Sequence, residues 1–500
     1  MRGLTTPLFN FAAIASRQEP RRNSQVLRRS VYFMSTLKKA SDATALVSQL
    51  RESFDSGLTK KRQWRINQLS ALRQLITDNE SVLEAALAKD LGKSATEAQL
   101  TEIGIILGDI DYALKNLSTW LKPQRVSIPL AMMPGKAFVV SEPLGVVLII
   151  APWNYPLQLL LAPLIGAIAA GNAAVLKPSE MSAATSAALA KLIPVYLDTR
   201  AVTIVEGAAK ETGWLLEQRY DHIFYTGNGR VGQIVLEAAA KHLTPVTLEL
   251  GGKSPIYVDE SVDLEAAAQR IAWAKYLNAG QTCVAPDYVL ATSAVQHELE
   301  AHLVAAIASL YGPVPKNSPD YGRIINQGHF ERLTGLLQDG RVVADGAPDA
   351  KQKFIPPTVL AEVSRDAPVM QDEIFGPILP MITVQDLDDA IDFINSKPKP
   401  LALYVFSENT LVRRAFTERT SSGSLAFNVA VVQLSVPELP FGGVGASGMG
   451  AYRGKRSFDT FSHEKAVFAK SFKPETLALI FPPYTESKKK MIRGLLRKLS

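Results

Sequence analysis

A single cysteine occurs in five hundred residues, Cys283, set in the stretch NAGQTCVAP at 278–286. A thiol works chemically as its thiolate, a nucleophile that forms covalent intermediates once a neighbouring base or positive field removes its proton. Without such neighbours a lone cysteine is a small buried hydrophobe. Two other stretches offer partners. Glu249 lies in TPVTLELGGKSP, where Gly251 and Gly252 have no side chains to cover a carboxylate. Asn154, in APWNYPLQL between Trp153 and Pro156, carries an amide that either donates to a developing oxyanion or bonds its own backbone in a turn. A third pattern, Gly227-Asn228-Gly229-Arg230-Val231-Gly232, follows the apolar run HIFYT and opens a helical stretch, the context in which G-x-G-x-x-G binds a dinucleotide pyrophosphate. That fingerprint wants an acid about 20 residues further on for a ribose. Glu249 meets the spacing, so spacing alone leaves it as either ribose ligand or general base. None of the six histidines stands in a cysteine-protease signature, which makes a Cys–His hydrolase a poor reading.

These residues are distant in the chain, and regular elements must bring them together. From Ala43 to Pro123 apolar residues recur at three and four, the period of amphipathic helices. VSIPLAMM and KAFVVSEP then flank Pro134-Gly135 and read as a hairpin. From Gly145 short apolar runs (GVVLIIAP, AAVLKP, AVTIVEG, DHIFYTG) alternate with helical segments, as in a parallel sheet covered on both faces. A second αβ stretch, from SPIYVDE to about Asn428, contains Cys283. There the helix SVDLEAAAQRIAWAKYLNAG is expected to stop at Gly280. The apolar stretch Leu157 to Ala170 is interrupted by Gln158, Pro163 and Gly166 and is shorter than the ~20 residues of a spanning helix, so it reads as buried.

Five hundred residues exceed one core, and length implies about two or three domains. One cysteine excludes an internal disulfide framework and any multi-thiolate metal site, so no metal is expected and a reducing compartment fits. Residues 1–41 carry eight Arg or Lys against Glu19, a net +7, while the whole chain is +6. The remainder is therefore close to neutral, and nucleic acid is not an expected partner. The leader is basic, nearly free of acids and mildly apolar, the composition of a transit peptide. It implies import into chloroplast or mitochondrion, with a disordered tail or a start at Met34 in the cytoplasm as the alternative. At the other end, SKKKMIRGLLRKLS sets Lys488, Lys489, Lys490, Arg493, Arg497 and Lys498 opposite Met491, Ile492, Leu495, Leu496 and Leu499. That pattern suits weak contact with a membrane surface or packing on a partner subunit.

Taken together, APWNYPLQL, AGNAAVLKPSE, FYTGNGRVG, LELGGKSP, NAGQTCVAPDYV, MQDEIFGPILP and LPFGGVGASGMGAYRGKRSF resemble, in order, the motifs of the aldehyde dehydrogenase superfamily. The body from about 43 to 486 is similar to its class 3 members, most closely those of plants. The resemblance implies an α/β fold: a Rossmann-like NAD(P)-binding domain (42–127 and 146–250) and an α/β catalytic domain (251–430). It adds a small β oligomerisation arm with a closing segment (128–145 and 431–472), between the leader and a basic tail at 473–500. It makes Cys283 the nucleophile, Glu249 the general base and Asn154 the oxyanion donor. It assigns Lys177 and Glu180 to the adenosine ribose, Glu373 to the nicotinamide ribose, and Phe375 to the vicinity of the ring. Otherwise Lys177 is a strand-end charge, Glu180 a first-turn acid and Phe375 core filling. Asn228 departs from the family's usual Ser, and Gly229 has no counterpart in much of it, so Gly227 and Gly232 are the firmer cofactor contacts. The implied reaction oxidises medium- to long-chain aliphatic aldehydes, and aromatic ones, to acids with NAD or NADP, in a homodimer. Two rival readings stand beside it: a CoA-acylating dehydrogenase and a non-catalytic descendant.

Overall fold

In the computed structural model, which describes residues 36–129, 132–344 and 346–499, the alternation after Gly145 becomes two sheets. The first holds five parallel strands: Val146–Ile150, Ala173–Lys177, Val202–Ile204, His222–Thr226 and Val246–Glu249. The chain lays down the first three outward in one direction, then crosses back to pair His222–Thr226 on the other side of Val146–Ile150. The winding thus reverses between those two strands, and a crevice opens there at the carboxyl ends. Every residue of Val146–Ile150, Ala173–Lys177 and His222–Thr226 is buried, as strands covered on both faces must be. The covering helix Gln158–Ala170 is buried from Leu159 onward. No described helix is long and apolar enough to cross a membrane.

The second sheet has seven strands in the order Arg341–Ala344, Thr358–Ala361, Ile378–Thr383, Tyr288–Ala291, Pro255–Val258, Ala402–Phe406, Ser424–Phe427, with only the first antiparallel. Cys283 and Glu373 both precede parallel strands of this sheet, whereas Glu249 ends a strand of the first. The site therefore lies along the seam between the two.

One expectation is corrected here. The hairpin's first strand is Gln124–Val126, so VSIPLAMM contributes only Val126; it pairs with Gly135–Pro143, and residues 130 and 131 lie outside the described residues. The other neighbour of Gly135–Pro143 is Ser462–Lys470, a pairing across some three hundred residues that no local pattern announces. The closing segment also reaches the first sheet. Gly448–Met449 joins the edge of the first sheet antiparallel, with Gly448 opposite Glu249. Gly448 has φ of 146°, and a Cβ there would stand 2.3 Å from the Leu248 carbonyl, so the pairing requires glycine. The Met34 alternative start and almost all of the leader lie outside the described residues.

Candidate active site

The helix before the cysteine, Leu264–Tyr276, is capped by Asp263, which accepts from Ala266 N–H at 3.0 Å. It ends at Tyr276, not at Gly280. Asn278, Ala279 and Gly280 instead take consecutive left-handed conformations, φ 53°, 52° and 73°. Two of these are not glycine, and such residues persist only where the surroundings over-determine them. Here they do. Asn278 N–H donates to Glu97 (2.9 Å), and its side-chain amide donates to the carbonyls of Asn154 (2.8 Å) and Gln281 (3.1 Å). Gln281 donates in turn to the Asn278 and Arg323 carbonyls, both at 3.0 Å, and accepts from Ile325 N–H at 3.0 Å. At Gly280 a Cβ would lie 2.2 Å from the Gly376 carbonyl.

The turn delivers the Cys283 thiol to a half-buried position where its own backbone N–H and that of Val284 donate to sulfur. Burial, with the Glu373 and Glu249 carboxylates in electrostatic reach, pushes the thiol up to about 12. Asn154 is buried, and one of its two amide N–H groups donates to the Gln281 carbonyl at 3.1 Å, which ties it to the same turn and leaves the second N–H for a ligand. Among the described residues Glu249 is the carboxylate with both oxygens buried and unpartnered, and burial raises its pKa well above the carboxylate range. The buried hydroxyls of Tyr155, Tyr404 and Tyr452 all lie within electrostatic reach of Cys283. Asn154 is thus tied to the turn that precedes Cys283, and Glu249 lies in electrostatic reach of its thiol.

The dinucleotide residues lie along the carboxyl ends of the first sheet. Lys177 is buried, its ammonium donating to the Pro178 carbonyl at 2.6 Å and standing 3.8 Å from half-exposed Glu180. The three glycines divide by function. A Cβ at Gly227 would meet the Tyr225 hydroxyl at 2.2 Å and one at Gly232 would press on Leu250 at 3.0 Å, whereas Gly229 faces open space. Asn228 caps the helix Gly229–Ala240, accepting from Val231 N–H at 3.0 Å; it is exposed, as are Gly229 and Arg230, while Val231 is half-buried. On the other side of the crevice Glu373 lies against Gly251, where a Cβ would stand 1.9 Å from its carboxylate, and it accepts from Gly252 N–H. Burial and Asp287 raise Glu373 to about 8. Phe375, at φ 51°, meets the Trp153 ring edge-on at 5.4 Å. A dinucleotide suits this set. Buried oxygens of Thr226 and Glu373 have no partner within the protein, and the Gly227 turn opens a helix N-terminus toward the same crevice.

Several residues had no sequence signal strong enough to single them out. Lys253 donates to Asp287 (2.6 Å) and to the carbonyls of Val369 and Asp372 (both 2.9 Å), and Arg332 donates to Ile374 (2.7 Å). Together they hold the segment that presents Glu373. Lys253 and Asp287 stood inside quoted motifs. Lys93, Glu97 and Glu102 were merely charges in a helical stretch, yet all three are buried behind the Cys283 turn.

A parallel sheet with its switch point at a dinucleotide crevice, facing a half-buried thiol, defines a nicotinamide-linked oxidoreductase that works through a covalent intermediate. The aldehyde dehydrogenase family profile matches residues 22–467. The chain is 53% identical over 440 residues, 88% of its length and 94% of the relative's, to aldehyde dehydrogenase family 3 member B1 of Rattus norvegicus. It superposes with TM-score 0.89 on a substrate-bound AldH of Staphylococcus aureus, 45% identical, covering 91% of this chain and 99% of that one. An NAD-dependent aldehyde dehydrogenase of Sinorhizobium meliloti gives TM-score 0.78 at 29% identity, with 89% of each chain covered. The chain belongs to the aldehyde dehydrogenase family. It oxidises aldehydes to carboxylic acids with a nicotinamide dinucleotide, NAD and also NADP being cofactors of this family.

Proposed function

We propose that Cys283 attacks the aldehyde, that Asn154 and the Cys283 backbone N–H receive the oxyanion, and that Glu249 activates the water that releases the acid. The convergence of thiol, amide and unpartnered carboxylate on the 278–283 turn carries this reading. An aldehyde carbon gives up hydride readily only after a nucleophile has made it tetrahedral. The Cys283 thiol gives its proton to solvent water, and its sulfur bonds to that carbon to form a thiohemiacetal anion. The oxyanion meets donors already oriented for it. A nicotinamide dinucleotide held by the residues of the crevice would supply the hydride acceptor, leaving a thioester on Cys283. Glu249 then takes a proton from water. The hydroxide adds to the thioester, the C–S bond breaks, and acid and thiolate separate.

Lys177 and Glu180 would hold the adenosine ribose, Gly227 to Gly232 the pyrophosphate, Glu373 the nicotinamide ribose, and Phe375 would flank the ring. Glu180 favours NAD by repelling a 2′-phosphate, and the adjacent Lys177 offsets part of that repulsion. The likeness to family 3 aldehyde dehydrogenases supports medium- and long-chain aliphatic aldehydes, and aromatic ones, as substrates in a detoxifying role. Reduction of NAD and NADP by the purified protein, against a panel of such aldehydes, tests the reading through its product. Free acid supports it, whereas an acyl-CoA formed only with added CoA would establish the acylating alternative.

The pH dependence follows from the raised thiol. With the thiolate disfavoured up to about pH 12, alkylation of Cys283 by iodoacetamide in cofactor-free protein should accelerate about tenfold per pH unit from 7 to 9. A plateau below pH 9 would mean that the carboxylates and burial do not govern the thiol.

The antiparallel arm carries exposed Val126, Met133 and Phe468, and we place a homodimer contact there. The tail helix Glu486–Leu499 is basic on one face, matching an anionic bilayer surface, and the leader fits organellar import, with the cytoplasm as the alternative. Full-length protein should co-sediment with anionic vesicles at low salt, and protein ending at residue 485 should not; equal binding by both would remove the tail's role.

A further inference from the structure

Residues 93 to 104 follow an unusual path. Gly92 ends the helix Glu80–Leu91, and Ser94 caps a short turn, Ala95–Ala98. The chain then makes a π-helical turn, Gln99–Ile103, before the helix Gly104–Trp120. Such a turn inserts an extra residue into a helix and is frequent at functional sites. This one carries Glu102 to a position where its side chain is fully buried.

Every bond that Glu102 makes points at one place. Its carboxylate accepts from Lys93 at 2.5 Å and from the N–H groups of Leu157 and Gln158 at 2.8 and 3.2 Å. Lys93, equally buried, also donates to the Asn154 carbonyl at 3.2 Å and lies 3.9 Å from the centre of the Tyr155 ring. The Tyr155 hydroxyl is 2.6 Å from that of Thr282, the residue before Cys283. One ammonium therefore touches the segment that carries the Asn154 amide and, through Tyr155, the segment that carries the Cys283 N–H. Stability gives no sufficient reason for such a pair, because well-packed apolar residues generally replace a buried ion pair without loss.

We propose that Lys93 and Glu102 are positioning residues that set the spacing of the two oxyanion donors, a proposal that rests on the roles given above to Asn154 and Cys283. Neither touches substrate. They act through the placement of residues 154 to 158 against residue 282, and their effect on the rate must vanish once the Asn154 amide is gone.

A double-mutant cycle tests this with kcat/KM for an aliphatic aldehyde, NAD affinity and Tm as readouts. Asn154→Ala should lower kcat/KM by about 10²- to 10³-fold, the range for loss of one oxyanion donor. Lys93→Met should lower it at least tenfold with NAD affinity within twofold of the parent, and Lys93→Arg should recover part of the loss. In the Asn154→Ala background Lys93→Met should cost less than twofold more. Losses that multiply in the double variant, with Asn154→Ala still strongly impaired, would overturn the positioning role alone. An Asn154→Ala variant of full activity would overturn the oxyanion assignment and this proposal with it. Should Lys93→Met fail to fold, the isosteric Glu102→Gln carries the same expectations through the same cycle.

Discussion

Cys283→Ser abolishes aldehyde oxidation, by on the order of 10⁴-fold or more, the scale reached when an enzyme loses its covalent nucleophile. Serine fills nearly the same volume and keeps the backbone N–H, so the turn built by Asn278, Ala279 and Gly280 is retained. What changes is the atom. The hydroxyl stands in reach of Glu249 and Glu373, which oppose its anion, and an alkoxide is far less accessible than a thiolate. NAD affinity, measured by fluorescence quenching, should stay within about twofold of the parent because the ribose and pyrophosphate residues lie on other segments. Because Cys283 is the chain's only thiol, the variant should also take up no alkylating label. Normal turnover by the serine variant would remove the covalent mechanism.

Glu249→Gln should slow thioester hydrolysis by about 10²- to 10⁴-fold, the usual contribution of a general base. The first turnover should survive, giving a burst of reduced cofactor equal to the enzyme and an acyl adduct on Cys283 visible by mass spectrometry. A selective fall in NAD affinity without that adduct would return Glu249 to the ribose. The parent's pH profile carries the same sign. Burial holds the proton on Glu249 to higher pH than in the unfolded chain, so the base is lost as pH falls through that raised value. For stability the direction is opposite: ionising an unpartnered buried carboxylate opposes folding as pH rises, and the amide should remove that dependence.

Much of the site was legible because its signals are local. Cys283 after Gly-Gln-Thr, Glu249 before two glycines and the Gly227 turn each declare themselves within a few residues. The parallel sheets announced themselves through short apolar runs separated by helices. Within those motifs the roles were finer than the letters. Gly229 faces open space and Asn228 closes its own helix, so the literal fingerprint overstated how many of its residues shape the turn. The helix expected to reach Gly280 stopped at Tyr276 because Glu97 and Asn154, remote in sequence, hold Asn278 in a conformation that no propensity predicts.

The sequence by itself thus determined the family and the reaction, since each rests on residue identity over short spans. Tertiary structure alone decided the conditions under which the site residues act. The thiol's pKa depends on burial and on two carboxylates from other segments, the edge beside buried Glu249 is closed by Gly448 from the far end of the chain, and the path of residues 154 to 158 rests on an ion pair seated behind it. Solvation and charge proximity are properties of distance in space, and spacing along a chain does not encode them.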